Sequence, residues 1–312
     1  MRGFAGRVAA PAAVLALSLL WALSGVRGEL LPGPTPLSVA QLERQALPLL
    51  LFAAIAALAA LLRREQWPRR HQLWNAITLG AGLFLVPAML IYLSEATVSA
   101  YTRTVLLILV PVFAVVVNPH AGSSQAGEVR YGLAASLAAV VGALCVFPVR
   151  FPGSFPEIAG FCAVIVAAAC IAAANCRANA LALPGSASWA ATAAVAAATA
   201  ASGLLAASAC LEKTLWRWNL PAGEWLWSVA LELPALLLLF WLLRRLPAPR
   251  MATRYSFAPL LAVLIGMAAL RPALDSIQPR TWLGLILMAT AASWLLLAPE
   301  SEVCSPSSAL GL

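Results

Sequence analysis

Residues 92–111 read YLSEATVSAYTRTVLLILVP, an apolar stretch that holds a glutamate, Glu95, and an arginine, Arg103. A charge at the centre of a bilayer costs at least about 2.5–3.5 kcal/mol unless it is paired or reaches water. Two charges eight residues apart inside such a stretch therefore mark the junction of two helices rather than the middle of one. The surrounding composition fixes the medium. The chain is 62% hydrophobic and 10% charged, far from the roughly half apolar and one quarter charged of a soluble domain.

Outward from this junction, apolar stretches recur at 8–26, 45–62, 73–93, 104–117, 131–149, 158–174, 188–210, 225–243, 255–270 and 281–298. About 18 such residues cross a ~30 Å hydrocarbon core as a helix. A β-barrel would show segments of about ten residues with alternating polarity, not continuous runs of Ala and Leu. The sequence thus predicts an all-α polytopic membrane protein with ten transmembrane helices. The breaks carry turn and charge residues, as in RREQWPRRH (63–71), NPHAGSSQAGE (118–128), FPGSFPE (151–157) and RRLPAPRMATR (244–254). No connection is long enough for a separate folded domain.

The net charge of +8 belongs to basic residues flanking the spans, which record membrane orientation, so nucleic acid is not an expected partner. With the N-terminus inside, twelve of the twenty basic residues fall on the inner side, among them Arg63, Arg64, Arg177, Arg244 and Arg254. This predicts a multi-pass protein of the inner (plasma) membrane with both termini cytoplasmic. The start, MRGFAGRVAAPAAVLALSLLWALSG, also resembles a signal peptide, but its apolar part of about nineteen residues exceeds the usual 7–15 and favours a retained span.

The second half repeats the first at an offset of 148 residues: Ala100 meets Ala248, Pro111 meets Pro259, and Ala114-Val115 meets Ala262-Val263. With a small shift, Tyr131-Gly132-Leu133 meets Leu283-Gly284-Leu285. Two five-span units in tandem, residues 1–150 and 151–312, must point opposite ways across the membrane, which makes the repeat inverted. Paired short spans interrupted by proline are the sequence pointer to a site between such halves, and those holding Pro111 and Pro259 fit.

At these residues the chain resembles the drug/metabolite transporter superfamily of the EamA type, over essentially all of 8–298. The resemblance rests on Leu20-Trp21-Ala22, on YLSEATVSAYTRTVLLILVPVF (92–113), and on ATRYSFAPLLAVLIGMAALRPALDSIQPRTWLGLILMATAASWLLL (252–297). It implies a secondary-active carrier, an exporter of a small organic metabolite or drug-like compound, working by alternating access through a central cavity. The chain departs from the family where Leu270-Arg271-Pro272 replaces a closing Gly-Glu. It also lacks the first-helix glutamate by which small multidrug members couple protons, since Glu29 lies at the outer end of that span.

Candidates for the cavity wall are Trp21, Tyr92, Pro111, Glu232 and Pro259, and candidates for a gate are Glu95 and Arg103. Glu232 lies about seven residues into its span, too deep for easy escape to water. Trp21 is either packing or an aromatic wall for an organic substrate. Glu95 and Arg103 either reach interfacial water separately or pair across the hairpin. Asn175 and Arg177, ending span six, read as surface anchors. The alanine-rich span WAATAAVAAATAASGLLAASA (189–209) suits close helix contact.

The six cysteines form no CxxC pair, and His71 and His120 stand apart in polar connections, so neither disulfides nor a metal is expected. There is no HExxH, GxSxG or Walker A motif, and the one lysine, Lys213, follows Glu212; the chain reads as no enzyme and implies no cofactor. The expected partners are a small-molecule substrate and the lipid bilayer, with a homodimer left open. Two other readings stand beside the carrier: a lipid or lipid-linked sugar flippase, and a non-transporting membrane subunit or sensor with the same fold.

Overall fold

The computed structural model describes residues 2–30, 41–117, 126–181, 188–212, 222–270 and 278–297. His120, Lys213, Arg271, Pro272 and Cys304 lie outside them, as does the Glu29 side chain. The described chain is helical, with no strand: α1 (Arg2–Leu30), α2 (Gln41–Leu62), α3 (Arg70–Gly80), α4 (Val86–Ser94), α5 (Ala100–Leu107), α6 (Val110–Val117), α7 (Ala126–Val146), α8 (Phe155–Leu181), α9 (Trp189–Ala207), α10 (Ala222–Leu243), α11 (Ala248–Ala252), α12 (Arg254–Leu270) and α13 (Pro279–Leu297). Among the described residues, eight helices or helix pairs are long and apolar enough to cross a membrane. The stretches expected at 131–149 and 225–243 fall on α7 and α10, helical as far as Val146 and Leu243.

Exposed Leu58, Leu137, Val166, Leu226, Ile286 and Trp294 place large apolar side chains on the outside of most of these helices. Such a surface is intolerable in water and ordinary against lipid. The fold is that of a membrane-embedded, multi-pass protein.

Local chemistry sets the helix ends. Ser99, in an extended conformation (φ −62°, ψ 151°), accepts from the Thr102 N–H at 3.3 Å and starts α5. Pro247 precedes α11 with nearly the same backbone (φ −63°, ψ 152°). The two helices begin at Ala100 and Ala248, the positions that the offset of 148 aligns. Glu157 closes the first turn of α8 by accepting from the backbone N–H groups of Gly153 at 2.6 Å and Ser154 at 3.3 Å. Between α3 and α4 the chain makes a π-helical turn, Ala81–Leu85, just before Pro87. Proline cannot donate to the preceding turn and its ring crowds that carbonyl, and a π turn is a common way to absorb the misfit.

The two proline-bearing spans break differently. Ile108 and Leu109 form a turn between α5 and α6, and Pro111 falls in the first turn of α6, where its missing N–H costs least. In the second half the break falls at Thr253, whereas Pro259 lies inside α12. The expectation that Pro259 itself interrupts its span is thus corrected. A hydroxyl makes the break there: Thr253 donates to the Arg250 carbonyl at 2.6 Å and ends the short α11.

The packing partners are specific. α2 lies on α9 and α7 on α13; α1 packs on α12 and α10, and α8 packs on α6 and α4. α3 meets α9 as α10 meets α2, and α6 touches α7 as α12 touches α13. The closest approaches run through small residues, including Ala193, Ala196, Ala197, Ala200 and Ala201 of α9, all buried. A side chain on Gly80 would collide with the Ala196 backbone. A Cβ on Gly284 would sit 2.5 Å from the Gly142 carbonyl oxygen, and one on Gly142 2.8 Å from that of Gly284.

Overpacking against backbone cannot be relieved by a rotamer change. Gly284→Leu is therefore expected to lower stability by about 1–3 kcal/mol, seen as a lower melting midpoint of the detergent-purified protein. Gly266→Ala, where nothing lies within 4 Å of the added methyl, is expected to leave the midpoint unchanged or raise it slightly.

Candidate functional site

Three helices bring an arginine into the interior. The Thr253 break lets α12 start at Arg254, whose side chain is 1% exposed. Asn175, two turns from the end of α8 and fully buried, accepts from Arg254 Nη2 at 3.5 Å. The same Nη2 lies 3.4 Å from the Tyr255 hydroxyl. The guanidinium carbon is 5.1 Å from the Trp21 ring centre, on α1, and 4.9 Å from that of Tyr255. These two rings are tilted by 52° with centres 5.9 Å apart, so they form two walls of a corner in which the cation rests.

The corner is not closed electrostatically. Among the described residues, Nε and Nη1 of Arg254, Nδ2 of Asn175 and Oγ of Ser256 have no hydrogen-bond partner. Ser256 is itself fully buried. Contact with an aromatic face returns about 2 kcal/mol or more when the cation is desolvated, while taking an ion out of water costs several. A cation with two idle N–H-bearing nitrogens, beside an idle amide nitrogen, is a donor-rich site held ready for an acceptor.

Neither Arg254 nor Asn175 is where the sequence predicts. Arg254 was expected among the inner-surface arginines and Asn175 as a surface anchor; both are interior. The reason is α11, a single helical turn hidden in what reads as one polar connection, RRLPAPRMATR, which carries Arg254 past the surface. The clue in the sequence is that Arg254 directly abuts the apolar run 255–270. Arg177 does sit at an exposed place, donating to Asn75 Oδ1 on α3 at 2.5 Å.

The other candidates divide into two places. Trp21 belongs to the corner. One turn further along α1, on the same face, Ser24 Oγ donates to Glu232 Oε1 at 3.4 Å, so Glu232 lies beside the same stretch of α1. Pro111 is buried in α6; its neighbour Val110 belongs to a cluster with Ala114, Ala168, Ile171 and Ala252 against which Tyr255 also packs. Tyr92 is half-buried against the main core, and no contact ties it to the corner. Pro259 is half-buried on α12.

Glu95 and Arg103 sit elsewhere, at one end of the bundle. Glu95 caps α4, Arg103 lies in the first turn of α5, and Arg103 Nη1 approaches Glu95 Oε1 to 2.8 Å. Gln41, at the start of α2, donates to the same carboxylate oxygen at 2.9 Å. Beside them an open cleft is lined by Thr97, Ser99, Arg150, Phe151, Glu157 and Phe161.

No protein-family model matches the chain, and no curated protein matches it in sequence. It is similar to a solved protein described as "Crystal structure of protein", with 17% identity, a TM-score of 0.68, and coverage of 92% of this chain and 96% of that one. At that identity the likeness establishes a shared fold over nearly the whole chain and nothing about activity.

The Glu95 and Arg103 side chains are 32% and 17% exposed, so their pairing is only partly screened. A double-mutant cycle of Glu95→Gln and Arg103→Gln, read by thermal unfolding in detergent, is expected to show a favourable coupling of about 1 kcal/mol. Additive effects would mean that the pair contributes no stability of its own.

Proposed function

We propose that this chain is a secondary-active membrane carrier of a small organic compound, of the drug/metabolite transporter type, with ten spans arranged as two inverted five-helix repeats. In this reading α1 corresponds to α8, α2 to α9, α3 and α4 to α10, α5 and α6 to α11 and α12, and α7 to α13. One observation carries it: exchanging the halves in this way turns the most extensive helix pairings into one another, with the contact of α8 and α11 as the main exception. The α1·α12 contact becomes α8·α6, α1·α10 becomes α8·α4, α2·α10 becomes α9·α3, and α6·α7 becomes α12·α13, while α2·α9 and α7·α13 map onto themselves. All are packed pairs.

Such a map defines two equivalent bundles, α1 with α10 and α12, and α8 with α4 and α6, held between the fixed pairs α2·α9 and α7·α13. Two pseudo-symmetric bundles of opposite orientation can exchange conformations, which opens the space between them first to one side and then to the other. The Arg254 corner falls on their boundary, since Trp21, Arg254 and Tyr255 belong to one bundle and Asn175 to the other. The Glu95–Arg103 pair and Gln41 close the outer end in the proposed topology, with both termini cytoplasmic. A carrier needs a buried polar site at such a boundary. A subunit that had lost transport would have no reason to retain an unpaired arginine there.

The reading is tested without knowing the substrate. In a cysteine-free background, Asn175→Cys in membrane vesicles of both orientations is expected to react with a membrane-impermeant maleimide. Adding Glu95→Gln should raise the reaction from the outer side several-fold and lower it from the inner side. Labelling from neither side, or from one side regardless of Glu95, contradicts alternating access.

A further inference from the structure

Resting on the carrier reading above, we infer that the Arg254 corner binds the carboxylate of a small organic anion, with the guanidinium of Arg254 and Asn175 Nδ2 as donors and the Trp21 and Tyr255 rings as walls for its organic part. The idle atoms of Arg254 and Asn175 are two guanidinium nitrogens and an amide nitrogen, donors that cannot accept. Buried guanidinium and amide N–H groups are unsatisfied by a cation and poorly satisfied by a neutral amine, but an oxyanion accepts from both kinds. Charge-assisted bonds from a guanidinium to a carboxylate are stronger than those to a neutral acceptor, so a carboxylate is the acceptor these donors favour.

Charge balance selects among oxyanions. One guanidinium lies in the corner, and no carboxylate is paired with it among the described residues. A monoanion neutralises it, whereas a phosphate monoester would carry in a second charge with no partner. The walls select in the same direction: beyond the donors the corner offers indole and phenol faces, suited to an apolar or aromatic body. Burial of the site, with Arg254 1% exposed and Asn175 fully buried, means that the ligand enters only when the bundles part.

The full-length protein in detergent is tested by thermal unfolding with benzoate, phenylacetate and lactate, each against its amide, and with inorganic phosphate and choline as further probes. A carboxylate should raise the wild-type midpoint by roughly 2–4 °C, and its amide should not. Asn175→Ala should weaken the apparent affinity about tenfold, Arg254→Lys should weaken it further, and Arg254→Met should abolish it. Without ligand, Arg254→Met should melt no lower than wild type, because an unmatched buried charge is replaced by an apolar side chain of similar length.

The site is overturned if no carboxylate shifts the midpoint, if acid and amide shift it equally, or if ligand-free Arg254→Met melts several degrees lower, which would make Arg254 a structural pin. Counterflow of radiolabelled benzoate and choline in proteoliposomes separates this from the carrier reading. Carboxylate binding without counterflow retains the site and removes the carrier. Counterflow of choline that is the same in wild type and Arg254→Met retains the carrier and removes the site.

Discussion

Close approach of backbones through small residues is the constraint on which this bundle depends. Lipid tails are as apolar as leucine, so burying leucine between helices gains little in a bilayer; association relies instead on contact at short range and on hydrogen bonds. Alanine and glycine supply that range here. The buried alanines of α9 receive α2, Gly80 meets the Ala196 backbone, and Gly142 and Gly284 face each other across α7 and α13. These contacts tolerate no added atoms, which makes the α2·α9 and α7·α13 pairs a stiff frame for whatever moves within it.

Inside that frame the chemistry is sparse and concentrated. Several buried hydroxyls return a hydrogen bond to a nearby carbonyl of the same span, as Ser18 does to Val14 and Ser136 to Gly132, each at 2.8 Å. These satisfy the requirement that lipid imposes on every polar atom. Arg254 is an exception. Its cation is placed by a one-turn helix and a threonine break, walled by two aromatic rings, and left with donors unused. A fold selected for stability alone would replace it with a leucine or methionine.

Hydropathy carried most of the architecture into view, because a bilayer demands long apolar helices and nothing else spells them. The helix junction at Glu95 and Arg103 was legible for the same reason: two charges in an apolar run need an end at which to meet water or each other. The offset of 148 was legible through Ala100 and Ala248, which begin helices behind nearly identical extended residues. What the sequence hid was depth. A run such as RRLPAPRMATR has the composition of a loop, and only three-dimensional tracing shows that Met251 and Arg254 are inside while Arg244 and Arg245 are not. Asn175 escaped notice because a lone amide near a helix end has the same letters whether it faces headgroups or an arginine. Pro259 misled in the opposite sense, as proline is tolerated within a packed membrane helix when neighbours absorb the lost hydrogen bond.

The central claim is that two bundles move against each other about the Arg254 boundary. The most direct measurement is a pair of distances by double electron–electron resonance in lipid nanodiscs. One label pair spans the Glu95 end, at Ala96 and Ala269; the other spans the opposite end, at His71 and Arg244. The account predicts two populated distances at each end, with the longer one growing at the Ala96–Ala269 pair as it declines at the His71–Arg244 pair when Glu95→Gln is introduced. A single distance at each end, unchanged by that substitution, would contradict it.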